Sequence, residues 1–118
     1  MSYGQAFQDL FVITLLNHKK NGKFLEIGSN HPITHNNSYL LDKEYNWTGL
    51  LIEYAPEFEK MYKEIRPHCD YIIGDARTSN YRESLDTHNY PTDMDYLQID
   101  LDVNHRSTLE VMEFFNNT

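Results

Sequence analysis

Carboxylates that stand directly after short apolar runs are the chemically suggestive feature of this chain. Glu53 closes GLLIE, Asp75 follows DYIIG, and Asp100 closes DYLQID with Asp102 two positions on. Glu26 lies within KFLEIG, which ends at Gly28 and is followed by Ser29 and Asn30. An acid at the end of a buried strand can accept both hydroxyls of a ribose, the device by which dinucleotide folds hold nucleosides, and Glu53 fits that description best. Asp75 is placed to accept from an exocyclic amine such as that of adenine; a simple turn aspartate is the plainer alternative. Asp100 and Asp102 share a face if their strand continues, because side chains alternate with a period of two. Paired acids bind a hard cation or act as a base, although Asp102 could instead cap the turn before the last helix.

Gly28 permits a tight turn and close backbone approach by a ligand. The run from 28 to 33 reads Gly-Ser-Asn-His-Pro-Ile, so the glycines of a pyrophosphate clamp are missing. That disfavours nicotinamide and flavin dinucleotides and leaves room for a nucleoside ligand without phosphate. Of six histidines, His31 sits where a ligand would lie and is a candidate pocket residue or base; His35 is nearby and His105 follows the acidic pair. Asp100, Asp102 and His105 show no recognised metal spacing and no fourth ligand, so no metal is assigned. The single cysteine, Cys69, has no base or oxyanion device beside it and reads as an ordinary half-buried side chain.

Four strands must carry these groups: Lys23 to Gly28, Gly49 to Glu53, Asp70 to Gly74, and Asp95 to Asp100. Each is short, apolar and bounded by turn residues, as buried strands of parallel sheets are. Helical spacing precedes and separates them. Phe7, Leu10, Phe11, Thr14 and Leu15 form a first stripe, with His18, Lys19 and Lys20 in the last turn and Asn21-Gly22 as the stop. A second helix is expected to start near Thr34 to Ser38, with Leu40, Leu41 and Tyr45 inward and Asp42, Lys43 and Glu44 outward. A third opens at Pro56, carries Phe58, Met61, Tyr62 and Ile65 as a stripe at helical offsets, and ends at Pro67. A weaker helical piece runs from Asn80 to Leu85. The last helix opens with the capping box Ser107-x-x-Glu110 and offers Leu109, Met112 and Phe115. The alternation predicts an α/β fold with a parallel sheet covered by helices. A single domain spans 1–118, with the N-terminal helix in 1–21 and the βα core in 22–118.

With 118 residues, 40% of them hydrophobic, the chain can bury a core and is not expected to be disordered. A formal net charge of −8 disfavours phosphate backbones and anionic lipid surfaces as partners. One cysteine precludes an internal disulfide, and with no signal peptide or apolar run long enough to span a bilayer, the expected location is the cytoplasm. Asn36-Asn37-Ser38, Asn46-Trp47-Thr48 and Asn116-Asn117-Thr118 match the glycosylation triplet, in that context most simply by chance.

Taken in order, Gly4-Gln5, Gln8-Asp9, the run Phe24 to Asn30, the run Asn37 to Leu41, the run Trp47 to Glu53 and the run Asp95 to Asp100 resemble the FkbM family of methyltransferases. The resemblance implies a Rossmann-like class I methyltransferase fold and S-adenosylmethionine as cofactor. It implies transfer of a methyl group to a hydroxyl of a sugar or small metabolite. By position, Glu26, Gly28, Ser29 and Asn30 would line the methionine end, Glu53 would hold the ribose, and Asp75 and Ala76 would meet the adenine. Asp100 would sit near the transferable methyl group, and Asp100, Asp102 and His31 are the candidate bases. Such a fold normally continues past the fourth strand. The expected sheet order is therefore 3-2-1-4, truncated there, with the fourth strand as an open edge that pairs with another copy of the chain or is covered by the last helix. Two other functions stay open: a non-catalytic nucleoside-binding module, and a structural or oligomerisation domain whose pocket residues are relics.

Overall fold

A computed structural model describes residues 3–4, 7–78, 80–90, 94–99 and 111–113. Its strands are β1 (Lys23–Ile27), β2 (Thr48–Glu53), β3 (Asp70–Ile73) and β4 (Tyr96–Ile99). They form one all-parallel sheet in the order β3-β2-β1-β4, the α/β arrangement expected from the sequence. Helices α1 (Gln8–Leu15), α2 (Tyr39–Tyr45), α3 (Glu59–Ile65) and α4 (Tyr81–Thr87) connect and flank them, and a 3-10 turn at Pro56–Phe58 leads into α3. Proline suits that first turn because it has no amide hydrogen to leave unpaired.

Strand alternation divides the core in two. Phe24 and Leu51 point to one face, where Val12, Ile13, Leu40, Leu41, Trp47, Tyr62 and Cys69 cover them. Leu25, Ile27, Leu50 and Ile52 point to the other, against Ala76, Tyr81 and Val111. Both faces of the two central strands are therefore dry, which is why they read as short apolar runs, broken in β1 only by the buried Glu26. The register sets Gly49 opposite Phe24. A β-carbon at Gly49 would lie 2.4 Å from the Phe24 carbonyl oxygen and 2.5 Å from its ring. Trp47, buried against Gly22, donates its indole N–H to the Lys19 carbonyl at 2.8 Å and so seals the start of β1.

Two helices differ from the sequence expectation. The first ends at Leu15, and Leu16 to His18 form a turn, so the three basic residues lie beyond it. Its buried side is Asp9, Val12 and Ile13, whereas Phe7, Phe11 and Leu15 are about two-thirds exposed (66%, 65% and 69%). The helix is apolar all round, so periodicity alone could not choose its inner face. Asp9 fixes the rotation: its carboxylate is buried and accepts the amides of Tyr3 and Gly4 at 2.7 and 2.9 Å. The second helix begins only at Tyr39, and Asp42 turns inward to a buried arginine rather than outward to water. The helix expected after Ser107 falls mostly outside the described residues; Val111 within it is buried in the second core. Among the described residues no helix is long and apolar enough to cross a membrane.

The tight contact at Gly49 gives a direct test of the register. Gly49→Ala should cost about 1–3 kcal/mol of stability by overpacking, read as a lower urea midpoint at unchanged denaturant slope; an unshifted midpoint would contradict the pairing with Phe24.

Candidate functional site

At the carboxyl ends of parallel strands the chain must leave the sheet, and there the expected site residues gather. The first such loop, residues 28–38, turns at Gly28, whose φ of 80° is one that glycine adopts without strain. The amides of Gly28 and Ser29 both donate to the Ile52 carbonyl, at 2.8 and 3.1 Å, clamping the loop to the end of β2. Asn30 continues with a left-handed φ of 57°. Its amide donates to Glu53 Oε1 at 2.8 Å, while Glu53 Oε2 accepts the Ala55 amide at 2.9 Å. Glu53 is 8% exposed. A carboxylate has about four acceptor positions, so each oxygen keeps one beyond its backbone partner. Gly74 donates to the Glu53 carbonyl at 2.9 Å, which ties the end of β3 to the same place. Tyr54, next to Glu53, is 74% exposed and sets an aromatic ring at the rim.

The other expected residues are arranged around this centre with different roles. Ser29 is buried and hydrogen-bonds the Tyr62 hydroxyl at 2.8 Å. Tyr62 in turn donates to the Asn30 carbonyl, so the serine supplies the proton in the first of these bonds. His31 Nδ1 accepts the amides of Ile33 and Thr34 at 3.1 and 3.0 Å. Its lone pair on that nitrogen is spent on the loop, and the proton of the neutral ring stands on Nε2. The edge of the ring meets Phe58. Asp75 is chelated by the Arg77 side chain and amide at 2.9 to 3.2 Å, and Arg77 holds its carboxyl below the usual range. Ala76 packs into the second core, where its carbonyl accepts the Tyr81 hydroxyl. Asp100 and Asp102 lie outside the described residues, as do His105, Ser107 and Glu110. Among the described residues no group of acids, histidines and cysteine forms a metal cluster.

Glu26 is fully buried beneath the loop rather than open to it. Its Oε1 accepts the Ser38 hydroxyl at 2.8 Å and its Oε2 the Asn37 amide at 3.2 Å, so it carries the N-terminus of α2. Burial pushes its carboxyl up to about 7, a rise that nearby Arg66 only partly opposes.

Arg66, just past α3, organises this floor, and no pattern around it in the chain points to that role. Its side chain is inaccessible to solvent and its five N–H groups meet five acceptors. Nε donates to Asp42 at 2.6 Å, Nη1 to the Pro32 carbonyl at 3.1 Å and Asn36 Oδ1 at 3.2 Å, and Nη2 to Ser38 Oγ at 3.0 Å and Cys69 Sγ at 3.7 Å. The guanidinium also lies over the rings of Phe24 and Tyr39. Asn36, matched at first only to a glycosylation triplet, spans the loop: its amide nitrogen donates to the carbonyls of Ser29 and His31, and its oxygen accepts from Ser38 and Tyr39. The legible signal was an Asn-Asn-Ser run directly before an apolar helix, which is helix-capping chemistry. Cys69 is buried more deeply than expected. Burial pushes its thiol up to about 12, which removes it as a nucleophile.

The arrangement is thus a rigid loop over a buried charged floor, with one strand-end carboxylate keeping acceptor capacity beside an exposed ring. No family model, no curated protein and no solved structure matches this chain.

The raised Glu26 carboxyl has a definite consequence for stability. Between about 4.5 and 7 the native protein retains a proton that the unfolded chain has released. Stability therefore falls as pH rises through that window and levels off above it, by about 3 kcal/mol in all. Glu26→Gln should abolish this contribution, so its unfolding free energy relative to the parent should improve by about that amount from pH 4.5 to pH 8; a pH-independent difference would contradict it. Arg66→Met, by leaving Asp42 and the loop acceptors buried without their donor, should cost about 3–5 kcal/mol in the same denaturation experiment.

Proposed function

We propose that this chain carries the cofactor-binding half of an S-adenosylmethionine-dependent O-methyltransferase that acts on a hydroxyl of a sugar or small metabolite. The observation that carries this reading is Glu53: a strand-end carboxylate held by two backbone amides with an acceptor position left on each oxygen. That is the geometry for taking the two hydroxyls of a ribose. The sheet supports it, since the order β3-β2-β1-β4 reverses beside β1, and ligands of such sheets bind outside the strand ends at that switch point. A single turn glycine at Gly28, with no glycine-rich cradle after it, suits a nucleoside without phosphates.

The residues present fit such a cofactor in distinct ways. Glu53 would take the ribose and Tyr54 would offer its exposed ring to the base. Gly28 and Asn30, whose backbone conformations open the loop, would flank the methionine end. Glu26, Ser29 and Arg66 would act from beneath by holding that loop in shape. When bound, S-adenosylmethionine supplies an electrophilic methyl group, and the acceptor hydroxyl needs in-line approach and a base. Asp100 and Asp102 stay the first candidates for that base. His31 is a weaker one, because its Nδ1 lone pair is committed to two backbone amides. The same commitment favours a second reading, a nucleoside-binding module without turnover.

Calorimetric titration with S-adenosylmethionine and S-adenosylhomocysteine should give micromolar affinity for both and none for NAD. Glu53→Gln, which keeps an acceptor for the loop, should weaken both by roughly 10-fold or more, about the loss of one charge-assisted hydrogen bond. Absence of binding at millimolar ligand by folded protein would overturn the proposal. Binding without methyl transfer to any hydroxyl acceptor would select the second reading.

A further inference from the structure

The sheet and the helix layer on its first face end at the same margin. In the sheet the last strand is β4, and among the described residues no strand pairs with its outer edge. In the helix layer the last element is α1. It contacts α2, and its Val12 and Ile13 join the core cluster that contains Phe24 of β1 and against which Tyr96 of β4 packs. A 2.5 Å ion pair from Lys19 to Asp95 ties the turn after α1 to the start of β4. The margin is therefore two-tiered, with an open strand edge below and the outer flank of an apolar helix above.

Both tiers expose apolar side chains, although β4 is only four residues long and is flanked in sequence by Asp95 and Asp100. The strand reads Tyr-Leu-Gln-Ile, without lysine, proline or any charge, and Leu97 is 43% exposed. On the helix, Phe7, Leu10, Phe11 and Leu15 all stand in solvent. Four large apolar side chains exposed on one short helix and its N-cap form a patch of the kind that interaction sites present.

We propose that this margin is an interface for a second copy of the same chain, related by a two-fold axis perpendicular to the sheet. Antiparallel pairing of the two β4 edges across that axis makes one continuous eight-stranded sheet from two four-stranded ones. The same axis sets both α1 helices on one face of that sheet, side by side, so one operation covers both tiers. Charge selects this face for self-association. The chain carries a net charge of −8 and repels its copies elsewhere, yet the only acid between Phe7 and Lys23 is Asp9, which is buried. Large apolar side chains at these exposures present roughly 450 Å² per copy, or about 900 Å² for the pair. Strand pairing then brings the total to about 1,200 Å², the low end for a specific dimer.

Sedimentation velocity on the full chain should show a reversible step from 14.0 kDa to twice that mass across micromolar to millimolar concentration. Phe11→Glu on the helix and Leu97→Lys on the strand should each weaken dimerisation at least 10-fold while leaving circular dichroism unchanged, because both residues are exposed in the single chain. Amide hydrogen exchange at residues 96–99 should slow as the dimer forms. A monomer at millimolar concentration would overturn the proposal. So would a dimer that both variants leave intact, or one that gives the amides of 96–99 no added protection.

Discussion

A single buried guanidinium holds the strand-end loop region of this protein together. Arg66 has no access to water, so each of its N–H groups has to find an acceptor inside the fold, and an unmet one would cost as much as a lost hydrogen bond. The five acceptors come from three stretches of chain: the β1–α2 loop at Pro32, Asn36 and Ser38, the helix at Asp42, and the start of the β3 approach at Cys69. A helix end, a loop and a strand entrance are thereby fixed against one another by a planar group that tolerates little displacement. Lysine could not do this, having three donors on one atom.

The consequence runs upward to the loop. Because Asn36 and Ser38 are pinned from below, Asn36 can hold the carbonyls of Ser29 and His31, and Tyr62 can hold that of Asn30. The backbone amide of Asn30 is then aimed at Glu53. The strand-end carboxylate is oriented without spending all its acceptor capacity, at the end of a chain of contacts that begins at a charge it never touches. The floor carries an excess of acid: Glu26 and Asp42 face one Arg66, with Asp9 also buried on the same side of the sheet. Burial strips water from Glu26, and Arg66 and the hydrogen bonds from Ser38 and Asn37 only partly offset that loss, so Glu26 keeps its proton to an unusually high pH.

The strands and their order were legible because both faces of β1 and β2 are dry, and a dry strand writes itself as a short apolar run ending where the chain returns to water. Glu53 was legible for the same reason, as a charge set against Leu50, Leu51 and Ile52. Arg66 was not. An arginine after an amphipathic helix ordinarily reads as a solvated end, and only the fold brings Pro32, Asn36 and Asp42 to it from 34, 30 and 24 residues away. Asp42 misled in the same manner, since its neighbours Lys43 and Glu44 made the turn look polar while its own carboxylate was claimed by the arginine. The inner face of α1 was hidden for another reason. Phe7, Phe11 and Leu15 and the opposing Val12 and Ile13 are equally apolar, and the choice between them rests on a single aspartate that binds backbone.

The position of β1 in the sheet also sets a clock. One neighbour, β2, follows it closely in the chain, but the other, β4, pairs Tyr96 with Phe24 across 72 intervening steps of sequence (96 less 24). The loop entropy of that closure has to be met before its hydrogen bonds and its packing under α1 give anything back. Until residues 96–99 arrive, β1 has one finished edge and one bare one. Synthesis delivers that closing strand last among the four, so β1 keeps an unpaired apolar edge until residues 96–99 have emerged.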